Sequence, residues 1–185
     1  SGNFGNLCAG LLAYRSGLPV NHFIAACNAN DVVPDFLQHG EYHPKKAVPT
    51  LSNAMDVGDP SNFIRILELF GGDVPALRNV LSAASISDDT TKQTINAVLD
   101  ATGYLTDPHG AVAYAALEQY ISRHPGAKGV FLETAHPVKF YDVIEPVTGQ
   151  KVPVPAAVEQ QLHLSKSSIK MEAEFAALKN FLLMP

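Results

Sequence analysis

Six residues at the head of the sequence, Ser1-Gly2-Asn3-Phe4-Gly5-Asn6, are of the types that bind an anion. Small residues let a backbone approach phosphate oxygens, and asparagine amides add uncharged donors. The apolar, helix-patterned segment that follows places the partial positive charge of a helix N-terminus behind them. An ordinary Gly-Asn turn capping a helix has the same composition, so the loop by itself leaves both readings open. Thr134-Ala135-His136-Pro137 is the second candidate. It follows the apolar run 129–134, and in open α/β sheets ligands collect beyond the carboxyl ends of strands. A threonine hydroxyl there meets a ligand heteroatom or caps the next helix, and His136 moves a proton or makes a structural hydrogen bond. The polar stretch 49–62 lines a cleft or simply connects elements. His109, in the first turn of a helix, has the same status.

Other chemistries find less support. His39 and His43 are four apart, but Gly40 lies between them, Pro44 follows and no third ligand is in register, so no metal site is expected. The Gly-x-Ser-x-Gly elbow of a serine hydrolase is missing. Cys8 and Cys27 lie in apolar surroundings without CxxC spacing, which predicts buried thiols in a reducing compartment, the cytoplasm by default. A net charge of −5 without basic runs argues against nucleic acid or an anionic membrane as partner. No apolar run approaches the roughly 18 residues that a membrane-crossing helix needs.

Elements that would position these residues alternate along the chain. Residues 6–16 have helical spacing and stop at Gly17, and the run 20–27 suits a strand buried on both faces. A short helix through Phe36 and Leu37 follows. Asp59-Pro60 marks the start of a helix ending at Gly71-Gly72, and another runs from about Val74 to Leu81. Ser87-Asp88-Asp89 opens a helix ending at Gly103, and Asp107-Pro108 opens one reaching about Arg123. Residues 129–134 read as a second buried strand. Glu145-Pro146 and Val152-Pro153-Val154-Pro155 read as connections, and weaker helices are expected near 156–162 and 172–183. These features predict an α/β fold with a helix-rich, mostly parallel open sheet. Residues 1–145 form its core with inserted helices, and 146–185 a helical tail packed on the same domain. Because a phosphate cradle is ordinarily fed by a strand, the chain is expected to be part of a longer protein beginning upstream of Ser1.

Four blocks, Ser1 to Asn6, Pro49 to Phe63 (PTLSNAMDVGDPSNF), Thr102 to Tyr114 (TGYLTDPHGAVAY) and Glu133 to Phe140 (ETAHPVKF), together closely resemble threonine synthase, in the family's order. The resemblance is to the C-terminal portion of that pyridoxal-phosphate enzyme and implies the large domain of a fold type II enzyme. It implies that Gly2, Asn3, Phe4, Gly5 and Asn6 hold the phosphate of pyridoxal 5'-phosphate and that the Thr134 hydroxyl meets its pyridine nitrogen. It implies a lyase that converts O-phospho-L-homoserine and water to L-threonine and phosphate. The family's Schiff-base lysine lies in a His-Gly-Pro-Thr segment ending Phe-Lys-Asp, which these residues lack; Lys139 matches a different position. The chain alone is therefore expected to be inactive without the N-terminal part of the same protein. Glu133 and Val138 depart from the pattern. The alternative is a non-catalytic phosphate- or nucleotide-binding α/β module, for which Asp31 stands roughly where a ribose-binding acid belongs, without the Gly-x-Gly-x-x-Gly fingerprint.

Overall fold

A computed structural model describes residues 2–184, and Ser1, the first residue of the candidate loop, lies outside them. The chain divides into two compact units, Ser1–Val152 and Pro153–Pro185. Among its described residues the second contains two short helices, α8 (Ala156–Leu162) and α9 (Phe175–Leu182). Among the described residues no helix is long and apolar enough to cross a membrane.

The first unit is built on two parallel strands, β1 (Phe23–Cys27) and β2 (Leu81–Ser85), in register from Phe23 opposite Leu81 to Cys27 opposite Ser85. Parallel pairing requires a crossover. Here it is made by α2 (Val32–His39), α3 (Phe63–Leu69) and α4 (Val74–Val80). α4 passes into β2 with no residue between them: Leu81 caps the helix and is also the first residue of the strand. α1 (Gly5–Arg15) precedes the sheet, and α5 (Asp88–Thr102), α6 (Pro108–Arg123) and α7 (Tyr141–Thr148) follow it.

Alternation along β1 divides the core between the two faces of the sheet. Ala25 and Cys27 face Leu7 and Leu11 of α1, Val33 and Phe36 of α2, Phe63 and Ile66 of α3, and Leu77 of α4. Ala26 faces Val112, Ala115 and Ala116 of α6. A third cluster joins Phe140, Ile144 and Val152. α7 crosses residues 145–146 and Val152 packs with it, so compactness breaks at Val152–Pro153.

Helix boundaries follow local chemistry. The Ser87 side chain accepts the Thr90 N–H and the Asp107 side chain the His109 N–H, each satisfying an otherwise orphan donor. Gly103, at φ 72°, closes α5 in the left-handed conformation that glycine adopts without penalty.

Several expectations need correction. Residues 129–134 form no strand. A strand requires a neighbour to complete its hydrogen bonding, and β1 and β2 pair with one another. Phe131 instead packs edge-on against Tyr114 of α6, while Val130 and Leu132 are exposed. β2 has no counterpart among the strands expected from the sequence, and β1 begins at Phe23 rather than Val20. α3 begins at Phe63, after Pro60, and Asp59 accepts the Tyr42 hydroxyl at 2.9 Å instead of capping. Pro146 lies inside α7, where burial of Ile144 outweighs the single helical hydrogen bond a proline removes. Cys8 and Cys27 are both buried free thiols, as expected.

Candidate functional site

A cleft of about 920 Å³ opens between the start of α1, β1, α6 and the segment 127–135. Gly2, Asn3, Phe4, Gly5 and Asn6 line it, and so does Thr134. Residues 130 positions apart in sequence thus open onto one cavity.

The loop owes its shape to Phe4, which occupies the left-handed region at φ 58° and ψ 22°, the one non-glycine residue at positive φ among those described. For an L-residue this conformation costs roughly 1–2 kcal/mol. The Phe4 ring is only 3% exposed and packs against Phe63, with ring centroids 6.3 Å apart. Burial of an aromatic ring stabilises by more than the strain costs. Phe4 is the N-cap of α1 yet gives no side-chain cap, and the first turn of the helix carries no acidic residue. The N–H groups of Gly5 and Asn6 therefore have no intrahelical acceptor, and both residues are exposed. Uncapped donors at a positive helix end, free of acidic side chains, suit an anion.

Gly2 is a glycine for a packing reason. A Cβ there would stand 2.6 Å from the Met55 Cα and 2.8 Å from the Ala54 oxygen, both backbone atoms. The Asn3 side chain is turned to its own support: its Oδ1 accepts the Ser61 N–H at 2.6 Å, and its backbone oxygen accepts the Asn62 Nδ2 at 2.8 Å.

Stretch 49–62 is anchored beyond the carboxyl end of β1. The Nδ2 of buried Asn28 lies 2.8 Å from Thr50 Oγ1, 3.0 Å from Ser52 Oγ and 2.9 Å from Asp56 Oδ1, and Asp56 also accepts the Thr50 N–H at 3.0 Å. Ala54 and Met55 consequently reach the cleft wall. The Ala54 N–H donates to His109 Nε2 at 3.1 Å, and His109 Nδ1 meets Asp107 Oδ1 at 2.5 Å. These contacts place the imidazole proton on Nδ1. His109 lines the cleft with both ring nitrogens engaged.

Beside Thr134, Glu133 turns inward and its Oε1 accepts the Asp107 N–H at 3.0 Å. Burial, then the hydrogen bond and negative charge of Asp107, push the Glu133 carboxyl up to about 7. Burial works to raise Asp107 as well, but hydrogen bonds from His109 and Glu133 prevail and hold it below the usual carboxylate range. The sequence contained no local sign of this cluster beyond the Asp-Pro helix start and the unusual glutamate.

The remaining candidates are accounted for elsewhere. Thr134 is exposed and caps nothing, whereas His136 caps the turn Pro137–Phe140 through the Val138 N–H. His39 meets its own helix's Asp35 oxygen, and His43 meets Glu41. Asp31, the ribose-binding acid of the alternative reading, takes the Lys45 ammonium at 3.4 Å and does not line the cleft. Lys128 does line it.

Residues 110–182 match the family model described as threonine synthase, C-terminal. The threonine synthase of Serratia marcescens is 47% identical over 183 residues, which is 99% of this chain and 42% of that protein. That of Escherichia coli is 45% identical with the same coverage. The crystal structure of the Escherichia coli enzyme aligns with a TM-score of 0.85, again over 99% of this chain and 42% of that one. The Brucella melitensis threonine synthase, solved with PLP bound, aligns with a TM-score of 0.82 at 30% identity, over 98% of this chain and 44% of that one. The chain thus matches the threonine synthase family and spans about two-fifths of the length of these relatives.

Proposed function

We propose that this chain, the counterpart of the C-terminal portion of threonine synthases, supplies the phosphate grip and the ring contact of a pyridoxal 5'-phosphate site. The parent enzyme on this reading is a lyase converting O-phospho-L-homoserine and water to L-threonine and phosphate. One observation carries the proposal: the uncapped amides at the start of α1 and the exposed Thr134 open onto the same cleft. The cofactor, when bound, supplies an electron sink for charge developing on the amino-acid carbons.

Each residue then has a role. The N–H groups of Gly5 and Asn6 donate to the phosphate oxygens, with the α1 N-terminus adding favourable charge. Gly2 and Asn3 set the loop against the Ala54–Met55 turn and Ser61. The Phe4 ring locks the backbone that aims the amides. The Thr134 hydroxyl would meet the pyridine nitrogen and, being neutral, would not hold a proton there as a carboxylate would.

These 185 residues lack the His-Gly-Pro-Thr segment ending Phe-Lys-Asp, so the anchoring amine and catalytic turnover belong to a part of the parent not contained in them. Two buried free thiols suit a reducing, cytoplasmic setting.

The test is a titration of the chain with pyridoxal phosphate, inorganic phosphate and ATP, followed by borohydride treatment and peptide mapping. Pyridoxal phosphate is expected to bind, to be displaced by inorganic phosphate, and to leave no adduct at a specific lysine. Preference for ATP, or a single reducible adduct at Lys128, would overturn the assignment.

A further inference from the structure

Two buried carboxylate oxygens, Asp107 Oδ2 and Glu133 Oε2, have no hydrogen-bond partner among the described residues, and the Asp107 N–H bonded to Glu133 Oε1 at 3.0 Å brings the two carboxyl groups together. Asp107 is fully buried. Glu133 occupies the space a Cβ on Gly110 would fill, so the backbone of α6 has been left bare to receive it. Two carboxylates so placed repel if both are ionised, whereas one proton between them satisfies both orphan oxygens.

We propose that Asp107, His109 and Glu133 are positioning residues that tie the two walls of the cleft together through a single proton shared by Glu133 and Asp107. On one side, Glu133 is bonded through its Oε1 to the Asp107 N–H and, as the neutral acid, donates to Asp107 Oδ2; this fixes the backbone that presents Thr134. On the other, Asp107 accepts from His109, whose Nε2 accepts the Ala54 N–H, and the Ala54–Met55 turn backs directly onto Gly2. The ring contact and the phosphate loop are thereby held at one spacing. Titratable groups facing Glu133 are Asp107 at the N-cap of α6 and Tyr104 just before it, and His109 is linked to it through Asp107.

Glutamine reproduces the neutral acid, donating through Nε2 and accepting through Oε1, but cannot ionise. The experiment therefore compares wild type, Glu133→Gln and Glu133→Ala in the whole chain, reading thermal midpoint without cofactor and pyridoxal phosphate affinity between pH 5.5 and 8.5. The wild-type midpoint is expected to fall as pH rises toward 8, while Glu133→Gln stays near the wild-type acid value throughout and Glu133→Ala lies below both. Should Glu133→Ala fail to fold, the other two still decide.

The affinity arm rests on the cofactor reading. With the Glu133 carboxyl at about 7, only about 3% of it keeps its proton at pH 8.5, so Glu133→Gln is expected to bind up to about thirtyfold more tightly than wild type there and equally at pH 5.5. A Glu133→Gln midpoint with the wild-type pH slope, or one as low as Glu133→Ala at acid pH, overturns the shared proton. Absence of pyridoxal phosphate binding in wild type at every pH overturns the cofactor reading instead and leaves the thermal arm to judge the clamp.

Discussion

Phe4 offers a direct test of how the candidate loop is held. Its backbone sits in the left-handed region, and its ring is almost fully buried against Phe63. Truncating a buried phenylalanine to alanine costs about 3–5 kcal/mol, so Phe4→Ala is expected to lose stability in that range. Phe4→Gly separates the two contributions. Inside a helix or strand glycine trails alanine by roughly 0.5–1 kcal/mol because it loses more freedom on folding. Here it also removes roughly 1–2 kcal/mol of left-handed strain that alanine retains. The order is therefore expected to invert, with Phe4→Gly more stable than Phe4→Ala by roughly 0.5–1 kcal/mol. Urea unfolding at unchanged m-value reads the difference as a shift in midpoint. Both variants should bind phosphate more weakly than wild type, since neither retains the ring that fixes the amides. If Phe4→Gly proves the less stable of the two, Phe4 carries no such left-handed strain.

Further outcomes follow from two buried residues remote from the loop, Asn28 and Cys27. Asn28→Asp replaces the donor that faces Asp56 Oδ1 with a second carboxylate, and is expected to cost about 3 kcal/mol or more at pH 7, with part of the loss recovered on acidification; chemical denaturation at pH 7 and pH 5 measures both. Burial pushes the Cys27 thiol up to about 11, so it should resist alkylation at pH 8.5 in native protein, by peptide mapping. A raised thiol contributes stability that is complete below about pH 9 and is lost as pH rises through 11, because the unfolded chain gives up its proton first. Cys27→Ala should remove that alkaline slope.

The sequence disclosed whatever is decided locally. Ser87, Asp107 and Gly103 mark helix ends because side-chain caps and left-handed closures act within a turn, and α1, α5 and α6 run close to where these signals put them. β2 was hidden because Leu-Ser-Ala-Ala-Ser has little intrinsic preference for a strand and becomes one only through pairing with β1. Residues 129–134 erred in the opposite direction: their composition suits a strand, but composition cannot supply a hydrogen-bonding neighbour. Pro146 misled for a related reason, since the packing that keeps it in α7 is tertiary. In the site, the loop 2–6 and Thr134 stood out as individual motifs, whereas their meeting in one cleft is a property of the fold. The Asp107–Glu133 contact spans 26 positions and was visible only as an odd residue beside a familiar block.

The joint between α4 and β2 has no slack, because one residue serves both elements. Adding or deleting a single residue in α4 would swing everything on one side of the change by about 100° around the helix axis, while a slip of one in β2 would exchange its inner and outer faces. Leu77 and Leu81 could not both remain in the core after such a change. Natural variation in length within this chain must therefore be accommodated away from the joint, at slack points such as Gly71-Gly72, where both glycines already take positive φ and added Cβ atoms would meet nothing.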